Sequence, residues 1–495
     1  MADDPFYDGA VRTMGGSWHA LLTGAIDPAA TVAVDKPPGY LWLQVAATRL
    51  VGFGSVGLHL PAAIAGCIAV VALYDALRTL FGRAAGLAGG IALAVLPVAV
   101  ITARSDTMDS VVAALDVVAL ALVARAVRSR RPSLLLLAGL ALGLTFEVKP
   151  FEGLVAAPGL ALMAWLGLPR GRPVIAGAGA VLVAAALAWL VALPLLGGGH
   201  LPWAYGSTDG SAWDAAFVYD GVGRLGEHAR PAASAASLAR IPAAAGPLRL
   251  LEARDGLGLR VGLELAVALL VACLVVVRGV PRERAARAGW WGLLAWLGTG
   301  VVLASAQGGL RPRYLEGVDP AIAAVLGAGA VLTARRWVLA AVGAVLLGAL
   351  VVSVGAVAHR VEDSGTPGAL APARIAALTG WERARGGEIA TSAVARGAQL
   401  VAAGERNVVF LAAGRHPLVT PAGLAGGRVR TGLLGGACGA TGRGCTPAEA
   451  WVRAHGTDVS HRLGQPSPGL AWDLSDGTRS GSRTSAGSRR TRPRR

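Results

Sequence analysis

What most restricts this chain is a succession of about ten long apolar runs, at 57–80, 86–102, 110–126, 133–148, 151–168, 174–196, 260–279, 288–306, 318–333 and 337–357. A helix crossing a bilayer needs about 20 mainly apolar residues, because hydrocarbon offers nothing to pair backbone N–H and C=O groups. Runs of this kind demand a polytopic α-helical membrane protein. Composition agrees: charged residues make up 15% of the chain, against roughly 25% in a soluble domain. A soluble enzyme, a disordered chain and a coiled coil are all excluded.

Arginines separate the runs on alternate sides. One side collects Arg78 and Arg83, then Arg125 to Arg131, Arg170 and Arg172, Arg278 to Arg287, and Arg335 with Arg336. By the positive-inside rule that side is cytoplasmic. The other side, extracytoplasmic, holds residues 1–56, 104–109, 149–152, 197–259, 307–319 and everything from 358 onward. Met1 then begins outside with no apolar run before it. A first transmembrane helix is therefore expected upstream, lost through a late start codon or a truncated gene model; translocation of a short tail by the first helix hairpin is the alternative.

The expected organisation has four parts. Residues 1–56 read as an outer interfacial loop, and 57–357 as the transmembrane domain with its large outer loop 197–259. Residues 370–476 alternate helical and strand patterns, as in a small α/β domain. Residues 477–495, rich in Ser, Gly, Thr and Arg, have nothing to bury and read as a disordered tail. Cys438 and Cys445 fall in the outer domain, where a disulfide closing a short loop is plausible chemistry. Cys67 and Cys273, inside apolar runs, read as packing residues.

Charged groups gather where runs emerge on the outer side: Asp3, Asp4, Asp35, Lys36, Arg104, Asp106, Asp109, Lys149, Glu152, Arg311, Arg313 and Glu316. A transporter places coupling charges near the bilayer midplane instead; Asp116 and Glu264 are the main internal exceptions. Only two of the 46 basic residues are lysines, Lys36 and Lys149, and each precedes a proline. In Asp35-Lys36-Pro37-Pro38 the prolines stiffen the chain and disfavour helical geometry at Lys36. An ammonium held this way suits a phosphate; an ordinary snorkelling lysine is the bland alternative. Asp106 and Asp109, three apart, share a face at a helix start, where Asp106 also suits capping. His19 and His200 lack paired ligand spacing, so no metal site is expected. The Arg-rich, Ala/Gly-rich bias reads as genomic rather than as a nucleic-acid interface.

Several motifs in order carry a resemblance: Tyr7 with Ala10-Val11, Ser17-Trp18-His19, Asp35-Lys36-Pro37-Pro38, Ala103 to Asp109, Gly206 to Asp209 with Tyr219 to Arg224, and Arg313-Tyr314-Leu315-Glu316. Together the set resembles the bacterial branch of the protein O-mannosyltransferase and aminoarabinose-transferase superfamily. That is glycosyltransferase family 39, of GT-C type, in the mannosyltransferase-like subgroup with a C-terminal extracytoplasmic domain. The resemblance implies transfer of mannose or a similar hexose or pentose from a polyprenyl-phosphate carrier, with inversion. The acceptor would be an envelope glycan, lipid or protein outside the membrane. It implies Asp4 as catalytic base, with Asp3 the close alternative and Asp109 in the same set. Lys36, Arg104 and Arg313 would hold the donor phosphate, and Asp35, Asp106, Lys149 and Glu316 the remainder of the substrate. No cofactor, metal or nucleic acid is implied. The competing readings are a transporter or flippase of lipid-linked sugar and an inactive truncated enzyme.

Overall fold

The structure is a computed structural model, and it describes residues 4–226, 245–252, 256–308, 310–363, 369–414 and 416–475. Asp3, the 365–368 linker and the 477–495 tail lie outside the described residues. The chain divides into two compact units. The first comprises Met1–Asp4, Asp35–Gly199 and Ser207–Pro367; the second comprises Pro5–Val34, His200–Gly206 and Gly368–Arg495.

All ten apolar runs are helical in the first unit. Among the described residues six helices are long and apolar enough to cross a membrane: Ser55–Phe81, Asp109–Ser129, Arg172–Leu196, Leu257–Arg278, Arg284–Ala306 and Arg336–Ala358. Arg83–Val95, Leu134–Val148, Glu152–Gly167 and Asp319–Thr333 are apolar but shorter. The protein is a helical polytopic membrane protein. Small residues let these helices approach closely, as membrane interfaces require. A Cβ on Gly327 would lie 2.3 Å from the Gly89 backbone nitrogen, and one on Gly159 would lie 2.4 Å from the Gly292 carbonyl oxygen. The Gly and Ala bias is thus the means of packing helices.

Polarity runs along the spans rather than across them. Asp109 begins one long helix and Arg128 stands in its last turn; Arg78 closes Ser55–Phe81 and Arg278 closes Gly256–Arg278. Two acids break this pattern. Asp116 and Glu264 are fully buried in mid-helix, and both oxygens of each lack a hydrogen-bond partner among the described residues. The cysteine expectation needs correcting: Cys67 and Cys273 are exposed free thiols, not packing residues. An apolar thiol is tolerated on a helix flank where the surroundings are hydrocarbon.

The second unit is built on a five-stranded sheet in the order Val408–Phe410, Glu388–Thr391, Val429–Leu433, Ala471–Asp473, Thr457–Asp458. The first three strands are parallel and the last two antiparallel to their neighbours. Ile389, Leu400, Val408 and Leu433 fill one side of this α/β core; Ala390, Leu434, Val452 and Trp472 fill the other. Cys438 and Cys445 are disulfide-bonded here, their Cα atoms 4.8 Å apart. The compact units split the stretch 1–56. The Pro5–Gly16 helix lies against Val394–Ala402, where Gly9 permits an approach that a Cβ, 2.4 Å from the Ala398 oxygen, would prevent; Arg12 donates to the Ala402 carbonyl at 3.1 Å. Asp4, Asp35 and Lys36 belong to the first unit.

Candidate active site

The two lysines organise the site, each between two carboxylates. Asp35-Lys36-Pro37-Pro38 cannot continue as helix, and Gly39–Val51 starts only after the prolines. The buried Lys36 ammonium lies 3.2 Å from Asp35 and 3.1 Å from Asp220. Asp220 comes from Ala215–Val222, a π-helical stretch kinked at Gly221, the kind of irregularity that recurs at functional sites. One turn on, Arg224 donates to Asp220 from Nε at 3.2 Å and from Nη2 at 2.5 Å. Burial pushes both carboxyls up. At Asp220 the charges of Lys36 and Arg224 outweigh burial and hold it below the usual range; at Asp35 burial wins and it stays above. Asp220, with two cations, is the ionised partner.

Lys149 follows the Leu134–Val148 helix, ended by Pro150, and adopts extended geometry. Its ammonium lies 2.6 Å from Asp109, also pairs with Glu152, and stands 4.0 Å from the Tyr314 ring centroid. Burial alone would lower its pKa, but Asp109 and Glu152 reverse the direction and raise it. Gln307 donates to Glu152 at 2.9 Å. Asp109, Lys149, Glu152, Gln307 and Tyr314 line a cavity of about 30 Å³, which has room for water. Phe151 has φ 57° and ψ −52°, and Glu152 donates back to the Pro150 carbonyl at 2.6 Å. This is the strained, positive-φ form of the γ-turn. It brings Lys149 and Glu152 together, while the Phe151 ring meets Phe146 and Phe217 at 5.8 and 5.5 Å.

Arg313 sits in the Pro312–Gly317 turn. Its backbone N–H donates to the Asp363 carboxylate at 2.8 Å and its guanidinium to the Asp363 carbonyl at 3.1 Å. Burial acts against its charge, yet Tyr314, Asp109, Asp363 and Asp4 together hold the guanidinium firmly protonated. Arg313 therefore stands near both Asp4 and Asp109. The Asp4 N–H donates to Asp106 at 3.3 Å, and Gln44 donates to the other Asp106 oxygen and to the Leu58 carbonyl. Glu316 is buried near Asp319; burial, then that neighbour, pushes its carboxyl well above the usual range.

The structure thus joins Lys149 to Asp109, places Arg313 near Asp109 and Asp4, and joins Asp4 to Asp106. Lys36 and Asp35 belong to the Asp220–Arg224 group, and Arg224 lies within electrostatic reach of Tyr314 in the other group. Arg104 is turned elsewhere: its guanidinium lies 3.5 Å from the Ala356 and Val361 carbonyls. Sequence reasoning missed Asp220, Arg224, Gln44, Tyr314, Gln307 and Asp363 as site residues. Asp220 and Arg224 carried a usable signal, an acid and an arginine four apart. Gln44, a lone amide in an apolar helix, carried a weaker one. Among the described residues no group of three His, Cys, Asp or Glu is set to hold a metal ion.

The architecture has counterparts among solved structures. ArnT from Cupriavidus metallidurans bound to undecaprenyl phosphate superimposes with TM-score 0.56 at 15% identity, covering 84% of this chain and 82% of that one. AglB from Archaeoglobus fulgidus, an archaeal oligosaccharyltransferase in complex with an inhibitory peptide and a dolichol-phosphate, gives TM-score 0.53 at 13% identity, covering 92% and 69%. These likenesses define the fold, which is the GT-C type. In sequence, the family model for dolichyl-phosphate-mannose-protein mannosyltransferase matches residues 35–197. The provisionally named mannosyltransferase YycA of Bacillus subtilis (strain 168) is 27% identical over 224 residues, 44% of this chain and 33% of its own length. YkcB of the same strain is 27% identical over 226 residues, 45% of this chain and 32% of its own length. The matched part thus spans about a third of these curated relatives. The chain is thus similar to dolichyl-phosphate-mannose-protein mannosyltransferases over residues 35–197 and shares its fold with ArnT and AglB.

Proposed function

We propose that this protein transfers a sugar, mannose or a similar hexose or pentose, from a polyprenyl-phosphate carrier to an acceptor outside the membrane, with inversion at the anomeric carbon. The observation that carries the reading is the pair of cation–carboxylate groups, Lys36 and Arg224 with Asp35 and Asp220, and Lys149 with Asp109 and Glu152 beside Tyr314. ArnT, which shares the fold, was solved with undecaprenyl phosphate bound, and the mannosyltransferase match covers Lys36, Asp106, Asp109 and Lys149.

In this reading the acceptor hydroxyl gives its proton to the Asp4 carboxylate as its oxygen attacks the anomeric carbon. The bond from that carbon to the phosphate oxygen breaks, and its electron pair leaves on the lipid phosphate. Fixed cations stabilise that charge without reorganising during the step. Lys36 and Arg224 fill this role, and Arg104, bound to backbone carbonyls, does not. Asp109, Lys149 and Glu152 orient the sugar or the acceptor, while Asp106 fixes the start of the chain that carries Asp4. Asp3 remains the alternative base. The active groups and the second unit face the cell exterior, and the acceptor is an envelope glycan, lipid or protein.

The test is transfer from radiolabelled polyprenyl-phosphate sugars by the purified membrane protein. Wild type is expected to turn over, and Asp4→Asn and Lys36→Ala to lose most of the activity. Undiminished transfer in Lys36→Ala overturns the site.

A further inference from the structure

A second polar end lies far from this site. Along the Asp109–Ser129 helix, Arg125 is about 24 Å from Asp109 at 1.5 Å per residue. Between this helix and Ser55–Phe81 runs a groove of about 740 Å³. Ile64, Cys67, Ile68, Val71, Ala121 and Leu122 are among its walls, and it closes on Tyr74, Asp75 and Arg125. There Asp75 accepts both Arg125 at 2.8 Å and Arg78 at 3.0 Å. Two cations share one carboxylate, and the arginine side chains are 53% and 52% exposed. One positive charge is left open where the apolar groove ends.

Length and polarity select the occupant. From Ala63 to Asp75 the groove is about 18 Å long, close to the roughly 15 Å of one leaflet's hydrocarbon. A partner transmembrane helix would need a seat of about 30 Å, but the groove stops at Ala63, short of the helix start at Ser55. The carrier chain of the donor has the wrong polarity, because its phosphate belongs at the Lys36 end. We infer that the groove binds one chain of an anionic phospholipid from the leaflet opposite the site, its phosphate held by Arg78 and Arg125. Basic pockets between membrane helices suit such head groups.

The exposed Cys67 thiol lies in the groove wall and reports on occupancy, while Cys273, exposed on another helix, is the control. The full chain in detergent is incubated with phosphatidylglycerol or phosphatidylcholine, followed by native mass spectrometry and thiol alkylation. The expected result is about fivefold greater retention of phosphatidylglycerol, with slowed alkylation at Cys67 and none of that slowing at Cys273. Arg125→Gln should abolish the preference and Asp75→Asn should increase it. The opposed directions keep the test decisive if one variant folds poorly. Equal retention of both lipids overturns the proposal. So does protection of Cys67 by polyprenyl phosphate alone, or protection that follows protein concentration rather than lipid, which would place a second copy in the groove.

Discussion

Lys36 and Lys149 occupy matching positions and different surroundings. Each precedes proline and each is buried between two carboxylates. Lys36 shares one of its acids with Arg224, so two cations face two acids and the group is balanced. Lys149 alone pairs with Glu152 and shares Asp109 with the nearby Arg313, with the Tyr314 ring beside it. A balanced group in which one acid is inclined to keep its proton has spare capacity for an anion. A group whose lysine bridges two acids from different segments is a structural lock. The contrast assigns anion binding to the first and positioning to the second.

The largest expected effect falls on the lock. Lys149→Met leaves the buried Asp109 without its paired ammonium and Glu152 without its partner, a loss on the order of 3–5 kcal/mol. Chemical unfolding in detergent should show it, together with loss of transfer. If Lys149→Met unfolds like wild type while Lys36→Met does not, the roles are reversed. Next comes Lys36→Ala, for which transfer should fall by about 10²–10³ with little change in unfolding, because Arg224 still neutralises Asp220. A comparable fall in stability would make Lys36 a second lock.

Much of this contrast was legible beforehand. The spans were visible because each must carry its own run of apolar residues, whatever packs beside it. The charged set was visible because loops at span ends are the only places such groups escape hydrocarbon. The partners of Lys36 were not. Asp220, in a kinked π-helical stretch, and Arg224, just after it, lie far along the chain, and only tertiary packing brings them to the lysine. Arg104 looked equivalent to Arg313 by sequence. Its guanidinium instead satisfies carbonyls at the end of the Arg336–Ala358 helix, which local reasoning does not reach. The grouping of Pro5–Gly16 with the α/β unit turns on a backbone approach at Gly9, visible only once both elements are in place.

A third prediction sharpens the anion-binding side through pH. Burial holds the Asp35 carboxyl above its usual range. While it is protonated, Lys36 has one acid, Asp220, and can attract a phosphate; once it ionises, a second negative charge competes. Polyprenyl-phosphate affinity should therefore fall as pH rises through the raised Asp35 pKa, by about tenfold if the competing pair is worth one pKa unit. In Asp35→Asn that limb of the titration should disappear and affinity stay at its low-pH value. A titration unchanged by Asp35→Asn removes Asp35 from the donor site.

The smallest effect tests what joins the two groups. Phe151 is held at positive φ, which disfavours a non-glycine residue by about 1–3 kcal/mol, and Gly at that position relieves the strain. The ring meanwhile covers Gly221: a Cβ there would lie 2.8 Å from Phe151 Cε2. Phe151→Gly should therefore lose ring packing and gain backbone freedom, so that stability changes by only about 1 kcal/mol in either direction. Donor affinity is expected to weaken more than this, because the 215–222 stretch carrying Asp220 is no longer pressed against the turn between Lys149 and Glu152. Gly221→Ala should produce the same weakening in wild type and little further loss in Phe151→Gly, where the ring that collides with the new methyl is gone. Additive losses in the double variant would mean that the two groups are positioned independently, and that the resemblance between the two lysines is one of local sequence alone.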